Sequence, residues 1–346
     1  MEILRNIKVP TGNILIVQGE YGPLEVLSLG DYGRQANVHA RFLGLDRLID
    51  GVPNGETMPL TKKWVITLST QYGCSSRCKF CDVPKVGPGR NATWTDIMGQ
   101  IKAALSLHPE VTHTDRLNIH YARMGEPSWN PAVLEVSRNL PMHLEYRLGD
   151  SVIHPVFTTM CPKGNQNLKR SISQWLEIKN TVYDGEAGLQ LSINSTSERQ
   201  RDEMFCSSAR SLKEISEIVK AAPRPHGRKI ALNFALADNY EVDAKKLRKL
   251  FNPETCMVKI TPLHNTRSCV ENGIETTHGY DSFVPYEAAE DALCAEGFDV
   301  LVFVPSKDED EGRITCGNAI LSGSEPFHEV AVASGIEVCN LDEVVE

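Results

Sequence analysis

The chain has 346 residues, 41% of them apolar, enough to bury the core of one large domain with an appendage. No run of about 18 uninterrupted apolar residues occurs, and the opening "MEILRNIKVPTG" lacks a signal-peptide core, so the expected location is the cytoplasm, with no membrane anchor. The net charge is −9, and residues 305–346 hold ten acidic residues against Lys307 and Arg313; the near-neutral remainder excludes a protein that grips nucleic acid by bulk charge.

Residues 1–60 contain short strand-like runs ("NILIVQ", "LEVLSLG") broken by Gly and Pro. They predict a small β-rich N-terminal extension, closed by the turn-rich "GVPNG" at 51–55. From Trp64 the pattern becomes strand, loop, helix, repeated. Strands are predicted over 64–70, 116–123, 152–159, 188–194, 229–236, 256–263 and 298–304. Helices are predicted over 94–108, 211–222, 243–251 and 286–297. Alternation of this kind argues for an α/β fold with parallel strands and helices outside. The expectation is a partial (β/α)6-type barrel over 61–304, followed by an acidic C-terminal segment, 305–346. In such barrels chemistry sits on loops that follow the strands.

The loop after the first of these strands reads "TQYGCSSRCKFCDVP" (70–84), which places Cys74, Cys78 and Cys81 in a C-x3-C-x2-C pattern. A structural zinc site wants four ligands, usually in two C-x2-C arms, and the other seven cysteines are solitary. A disulfide framework does not suit a long chain without an export signal. A [4Fe–4S] cube takes cysteine thiolates. Three of them leave one iron open to a cofactor or substrate, and Phe80 would shield one face. Cys74, Cys78 and Cys81 are therefore the predicted metal ligands.

C-x3-C-x-aromatic-C at this place resembles the radical S-adenosylmethionine (SAM) superfamily. The resemblance implies a [4Fe–4S] cluster whose open iron binds SAM. It also implies reductive cleavage of SAM to a 5′-deoxyadenosyl radical, and an electron donor such as flavodoxin or ferredoxin. Further stretches resemble one branch, the RlmN/Cfr adenine-C2 and -C8 RNA methyltransferases. They are "STQYGCSSRCKFC", "GRNATWTDIMGQI" (89–101), "RMGEPSWN" (123–130), "QLSINSTSERQRDEMF" (190–205), "KITPLHN" (259–265) and "FVPSKDEDEGRITCGNAI" (303–320). They follow the family's order from about residue 56 to residue 320.

Gly125 and Glu126 end the second strand, where glycine permits close backbone approach and a carboxylate can receive an ammonium or ribose hydroxyl. Ser192 and Asn194 alternate with Leu191 and Ile193, which predicts that both face one side of a strand. Thr159 ends another strand. With Asn265, which matches the family's SAM-binding asparagine, these residues are expected to contact SAM. The resemblance makes Cys316, in "ITCGNA", the sulfur that first takes a methyl group from SAM. It makes Glu56, in "GETMPL", a contact to the substrate adenine.

Three features depart from the family. Thr67 stands where a second catalytic cysteine is expected, seven residues before Cys74, and Cys161 is the candidate substitute. Residues 1–60 are too few and too strand-like for the family's helical RNA-binding domain. The acidic C-terminal segment replaces what is often a basic C-terminus in the family; basic clusters remain at 163–170, 198–201 and 245–249 and read as solvated helix faces sooner than as an RNA groove. The expected function is transfer of a one-carbon unit from SAM through Cys316 to an sp2 carbon, most simply an adenine in RNA (rRNA or tRNA). The same chemistry on a nucleotide, small metabolite or peptide stays open, as does a non-catalytic iron–sulfur protein.

Overall fold

The computed structural model describes residues 1–46 and 57–326 and the short strand Val338–Cys339. In chain order the strands are β1 (Ile3–Val9), β2 (Gly12–Gly19), β3 (Gly22–Leu29), β4 (Val38–His39), β5 (Trp64–Leu68), β6 (Gln71–Gly73) and β7 (Pro88–Asn91). They continue as β8 (Leu117–Tyr121), β9 (Ile153–Thr159), β10 (Gly188–Ser192), β11 (Ile230–Leu236), β12 (Cys256–Pro262), β13 (Val300–Phe303) and β14 (Val338–Cys339). Twelve of them form one sheet in the order β14-β1-β2-β3-β5-β8-β9-β10-β11-β12-β13-β4, while β6 and β7 pair as a separate ribbon.

The seven strands predicted from Trp64 onward are β5 and β8 to β13. They lie in sequence order and pair in parallel throughout. Each needs a crossover back to the same end of the sheet, which the helices supply. One face of these strands is apolar: Trp64, Ile66, Ile119, Phe157, Leu191, Leu232 and Val258 are fully buried. The alternate positions, among them Thr67, His120, Gln190, Ser192 and Lys259, are only partly buried.

The sheet has to curl. Strand β3 pairs with β5, and β4 pairs with β13 at the far side. Laid flat, β3 and β4 would be eight strand spacings apart, about 38 Å. Only nine residue steps join Leu29 to Val38, a reach of at most about 32 Å even fully extended, and part of that span is the helix Arg34–Asn37. The partly polar face is therefore concave, and its two margins are tied together by the N-terminal residues.

Helices Trp94–Ser106 and Leu212–Ala221 begin in capping boxes, Thr93 with Asp96 and Ser211 with Glu214, which satisfy free N–H groups at each first turn. Three helices of seven residues or more escaped the sequence reading, Pro131–Leu148, Leu168–Val182 and Glu198–Met204, as did the shorter Arg34–Asn37, Arg267–Glu271 and Lys307–Glu311. The first has Pro141 in its interior, which removes the bond to the Ser137 carbonyl. The Tyr183 hydroxyl donates to that carbonyl instead. In the second, Leu168, Ile172, Trp175 and Leu176 stand at helical spacing, a signal hidden by the polar run before it.

The C-terminal segment is not a uniformly solvated acidic tail in its described part. Ser306 and Glu309 form a capping box, and burial raises the Glu309 carboxyl to about 7. Asp310 is buried and accepts hydrogen bonds from the Asn265 N–H (2.8 Å) and the Thr315 hydroxyl (2.6 Å).

Candidate active site

Strand β5 runs into the β6–β7 ribbon, and the three cysteines occupy the loop between the ribbon's strands. Gly73 has φ +80°, and a Cβ there would lie 2.2 Å from the Gly87 carbonyl oxygen. This close approach lets the Cys74 N–H donate to that same carbonyl at 3.1 Å. All three thiols are partly exposed. Burial, with the neighbouring thiols adding to it at Cys78 and Cys81, disfavours their charged forms; Cys74 is pushed up to about 11, and Cys78 and Cys81 go higher still. Such thiols ionise only when a cationic centre binds them. No three His, Cys, Asp or Glu side chains among the described residues converge on a position for a single ion. Thiols that each take a separate corner of a cube need not do so. Phe80 and Cys78 pack against Met160, Met204 and Phe205, an apolar wall on one side of the loop. A cavity of about 620 Å³ adjoins Cys74, Cys78 and Cys81.

Asp82, missed in the sequence, fixes this loop from behind. It is fully buried. Its carboxylate accepts from the Ser268 N–H (2.8 Å) and hydroxyl (2.7 Å) and from the Arg267 N–H (3.2 Å). Its own N–H donates to the Gly317 carbonyl at 2.8 Å. That bond brings Cys316 beside the cysteine loop, although 235 residues separate Cys81 from Cys316.

Two more ties hold the Cys316 segment. Arg123, at the end of β8, donates to the Arg313 carbonyl at 2.8 Å. Glu25, on β3, pairs with Arg123 at 2.7 Å and accepts from the Leu321 N–H at 2.7 Å. Glu25 and Arg123 are 0% and 3% exposed, so the pair is a buried staple between the N-terminal strands, the parallel sheet and the C-terminal segment. The Cys316 thiol itself is exposed. The surrounding protein raises its pKa, while the Lys259 and Arg123 cations pull it down.

Glu126 is buried beneath this loop. It accepts from the Ser128 N–H (3.1 Å) and the Met160 N–H (2.9 Å), and its N–H donates to the Gln71 side chain (3.0 Å). Burial raises its pKa, and the Thr159 hydroxyl is the largest influence lowering it. Glu126 and Thr159 are thus neighbours at two strand ends. Gly125 has φ +97°, and a Cβ there would stand 2.6 Å from the Gln71 Cβ. Gly125→Ala is expected to cost about 2 kcal/mol of stability by thermal unfolding, because both the backbone angle and the contact oppose it.

Some other expectations need correction. Strand β10 stops at Ser192, and Asn194 lies in a turn with φ +58°, so the alternation with Ser192 does not extend to it. The Asn194 carboxamide oxygen accepts from the Ala235 N–H at 3.2 Å, tying β10 to β11. Cys161 is fully buried in the main apolar core, with its thiol raised to about 12, chiefly by burial. It is not presented beside Cys316 as a second reactive thiol would be. Arg201, from the 198–201 cluster, is buried and donates to the Ile193 and Arg210 carbonyls, so it is no RNA-facing cation. Asn265 is exposed; its N–H is taken by Asp310 and its carbonyl by Arg313. Glu56 lies outside the described residues.

No protein-family model matches the chain. The dual-specificity RNA methyltransferase RlmN of Campylobacter lari is 28% identical over 256 residues, covering 69% of this chain and 65% of that protein. A probable dual-specificity RNA methyltransferase RlmN of Aquifex aeolicus is 26% identical over 199 residues, covering 54% and 51%. The crystal structure of a radical SAM methyltransferase from Sphaerobacter thermophilus superposes with a TM-score of 0.61 over 88% of this chain and 76% of that one, at 20% identity. The chain resembles RlmN-type radical SAM methyltransferases.

It spans less than two thirds of the length of these RlmN relatives. Against the RlmN pattern, Thr67 is partly exposed on the concave face, in register with His120 of β8. A threonine there supplies no thiol. Among the described residues, no helix is long and apolar enough to cross a membrane.

Proposed function

We propose that this chain is a radical SAM methyltransferase of the RlmN type, which moves one carbon from SAM through Cys316 to an sp2 carbon, most simply that of an adenine in RNA. The observation that carries the reading is the Asp82–Gly317 backbone bond, which seats an exposed thiol beside the C-x3-C-x2-C loop. We read the curled sheet as a partial (β/α)6 barrel over 61–304, with 1–60 as its β-rich extension and 305–346 as the segment that delivers Cys316.

Cys74, Cys78 and Cys81 would hold a [4Fe–4S] cluster. When bound and reduced by a flavodoxin- or ferredoxin-like donor, the cluster supplies the electron for homolytic cleavage of SAM. Gly125, Glu126, Thr159 and Ser192 lie at strand ends on the same rim and would position SAM. The Cys316 thiolate attacks the SAM methyl carbon; an S–CH3 bond forms, the sulfonium C–S bond breaks, and S-adenosylhomocysteine leaves. Lys259 and Arg123 favour the thiolate that this attack needs. An RNA adenine would have to leave its stack to reach this rim.

Anaerobic reconstitution with iron and sulfide, then incubation with SAM and reductant, tests the reading. The expected products are 5′-deoxyadenosine and a methyl group on Cys316 by mass spectrometry. Cys74→Ala, Cys78→Ala and Cys81→Ala should each abolish uptake of iron and labile sulfide. A wild-type protein that takes only zinc would overturn the reading. Label from methyl-labelled SAM in adenines of total RNA supports RNA as substrate; label confined to small molecules or protein moves the substrate elsewhere. Cys161→Ala is expected to leave turnover within about twofold, since its thiol lies in the core.

A further inference from the structure

One row across the concave face holds Ser192, Asn233 and Lys259, on three adjacent strands and in direct register. Asn233 is 8% exposed, and its side-chain oxygen has no hydrogen-bond partner among the described residues. Lys259 makes no hydrogen bond or ion pair with a described residue; its ammonium lies 5.4 Å from the centre of the Phe303 ring. Across the concavity His120 presents a buried Nε2 that is also without a partner among the described residues. Three strands lie between β8 and β12, yet Lys259 is the strongest charge acting on His120, whose pKa burial lowers to about 3. The seven parallel strands contain no Asp or Glu at all.

An ammonium sunk in a protein wall, with the Cys316 thiol as its acidic neighbour and no carboxylate paired to it among the described residues, carries a desolvation cost that a bound anion would cancel. An unpaired carboxamide oxygen beside it seeks a donor. We propose that Ser192, Asn233 and Lys259 form a subsite for an anionic group, a carboxylate or phosphate, on the ligand that enters the hollow. The anion sits on Lys259, and an N–H or O–H next to it donates to Asn233. The proposal rests on the methyltransferase reading above. The anion has two possible sources: the substrate, or the carboxylate of SAM.

The test is equilibrium dialysis of the anaerobically reconstituted holoprotein with two pairs of probes. Adenosine 5′-monophosphate against adenosine reads a phosphate on the substrate. S-adenosylhomocysteine against 5′-methylthioadenosine reads the amino-acid end of SAM. Wild type should prefer the acid-bearing probe of one pair by at least tenfold. Lys259→Gln should erase that preference, and Lys259→Arg should keep most of it. Loss in the first pair assigns the subsite to the substrate; loss in the second assigns it to SAM. If wild type shows no preference in either pair, or Lys259→Gln keeps it while iron content and far-UV circular dichroism are unchanged, the proposal is overturned. Failure of the methyltransferase reading would show separately, as absent iron and sulfide.

Discussion

Cys316→Ala should take up iron and sulfide like wild type, gain no S-methyl group, and transfer methyl at least about a thousandfold more slowly. Cys269, whose thiol lies against the Phe80 and His264 carbonyls near Gly317, is buried. Cys161 is sealed in the core, and Thr67 has a hydroxyl that cannot match a thiolate toward a sulfonium methyl. The substitution is also structurally mild. The segment is held by the Arg313 and Gly317 carbonyls, the Leu321 N–H and the Thr315 hydroxyl, none of which involves the Cys316 side chain. Iron analysis beside quantified methyl product separates the two effects. Methyl transfer that survives in Cys316→Ala would remove this sulfur from the reaction.

Glu25→Ala should lower stability by about 3–5 kcal/mol, because it strands the buried Arg123 guanidinium without its counter-charge. For a domain of this size that is a fall in Tm of roughly 10 °C. The same change removes the acceptor for the Leu321 N–H, so the segment bearing Cys316 should open more often. Trypsin should then cut after Arg313 faster than in wild type. Replacing both partners, Glu25→Leu with Arg123→Met, should recover much of the Tm, since the isolated charge is gone. It should not recover methyl transfer, because both ties to the segment stay broken. Calorimetry and timed proteolysis on the three proteins decide the matter; an unchanged Tm in Glu25→Ala would show that the pair contributes nothing.

The parallel strands were legible because they are apolar runs of strand length, and a strand buried against helices leaves that trace in any order of reading. The cysteine loop was legible because its ligands are contiguous. Asp82, Glu25 and Arg123 were not, since each draws its role from partners far off in sequence: Ser268, Leu321 and Arg313. A carboxylate inside "PLEVLSL" is the one local hint, for an acid amid core residues needs a cation. The helix Pro131–Leu148 was hidden because Pro141 breaks the rule locally, and Tyr183 repairs it from 46 residues away. Asn194 was misplaced because period-2 alternation reports pleat direction only while the strand lasts, and it ends two residues earlier.

The crossing from Leu29 to Val38 acts as a belt. It is fastened to both margins of the parallel strands, through β3 on β5 and β4 on β13, so its length limits how far apart those margins can stand. Residues added there would loosen the girth, and residues removed would tighten it, with no change to any group that touches the ligand. For the proposed methyltransferase, the range of molecules admitted would be adjustable from a stretch of chain remote from the chemistry.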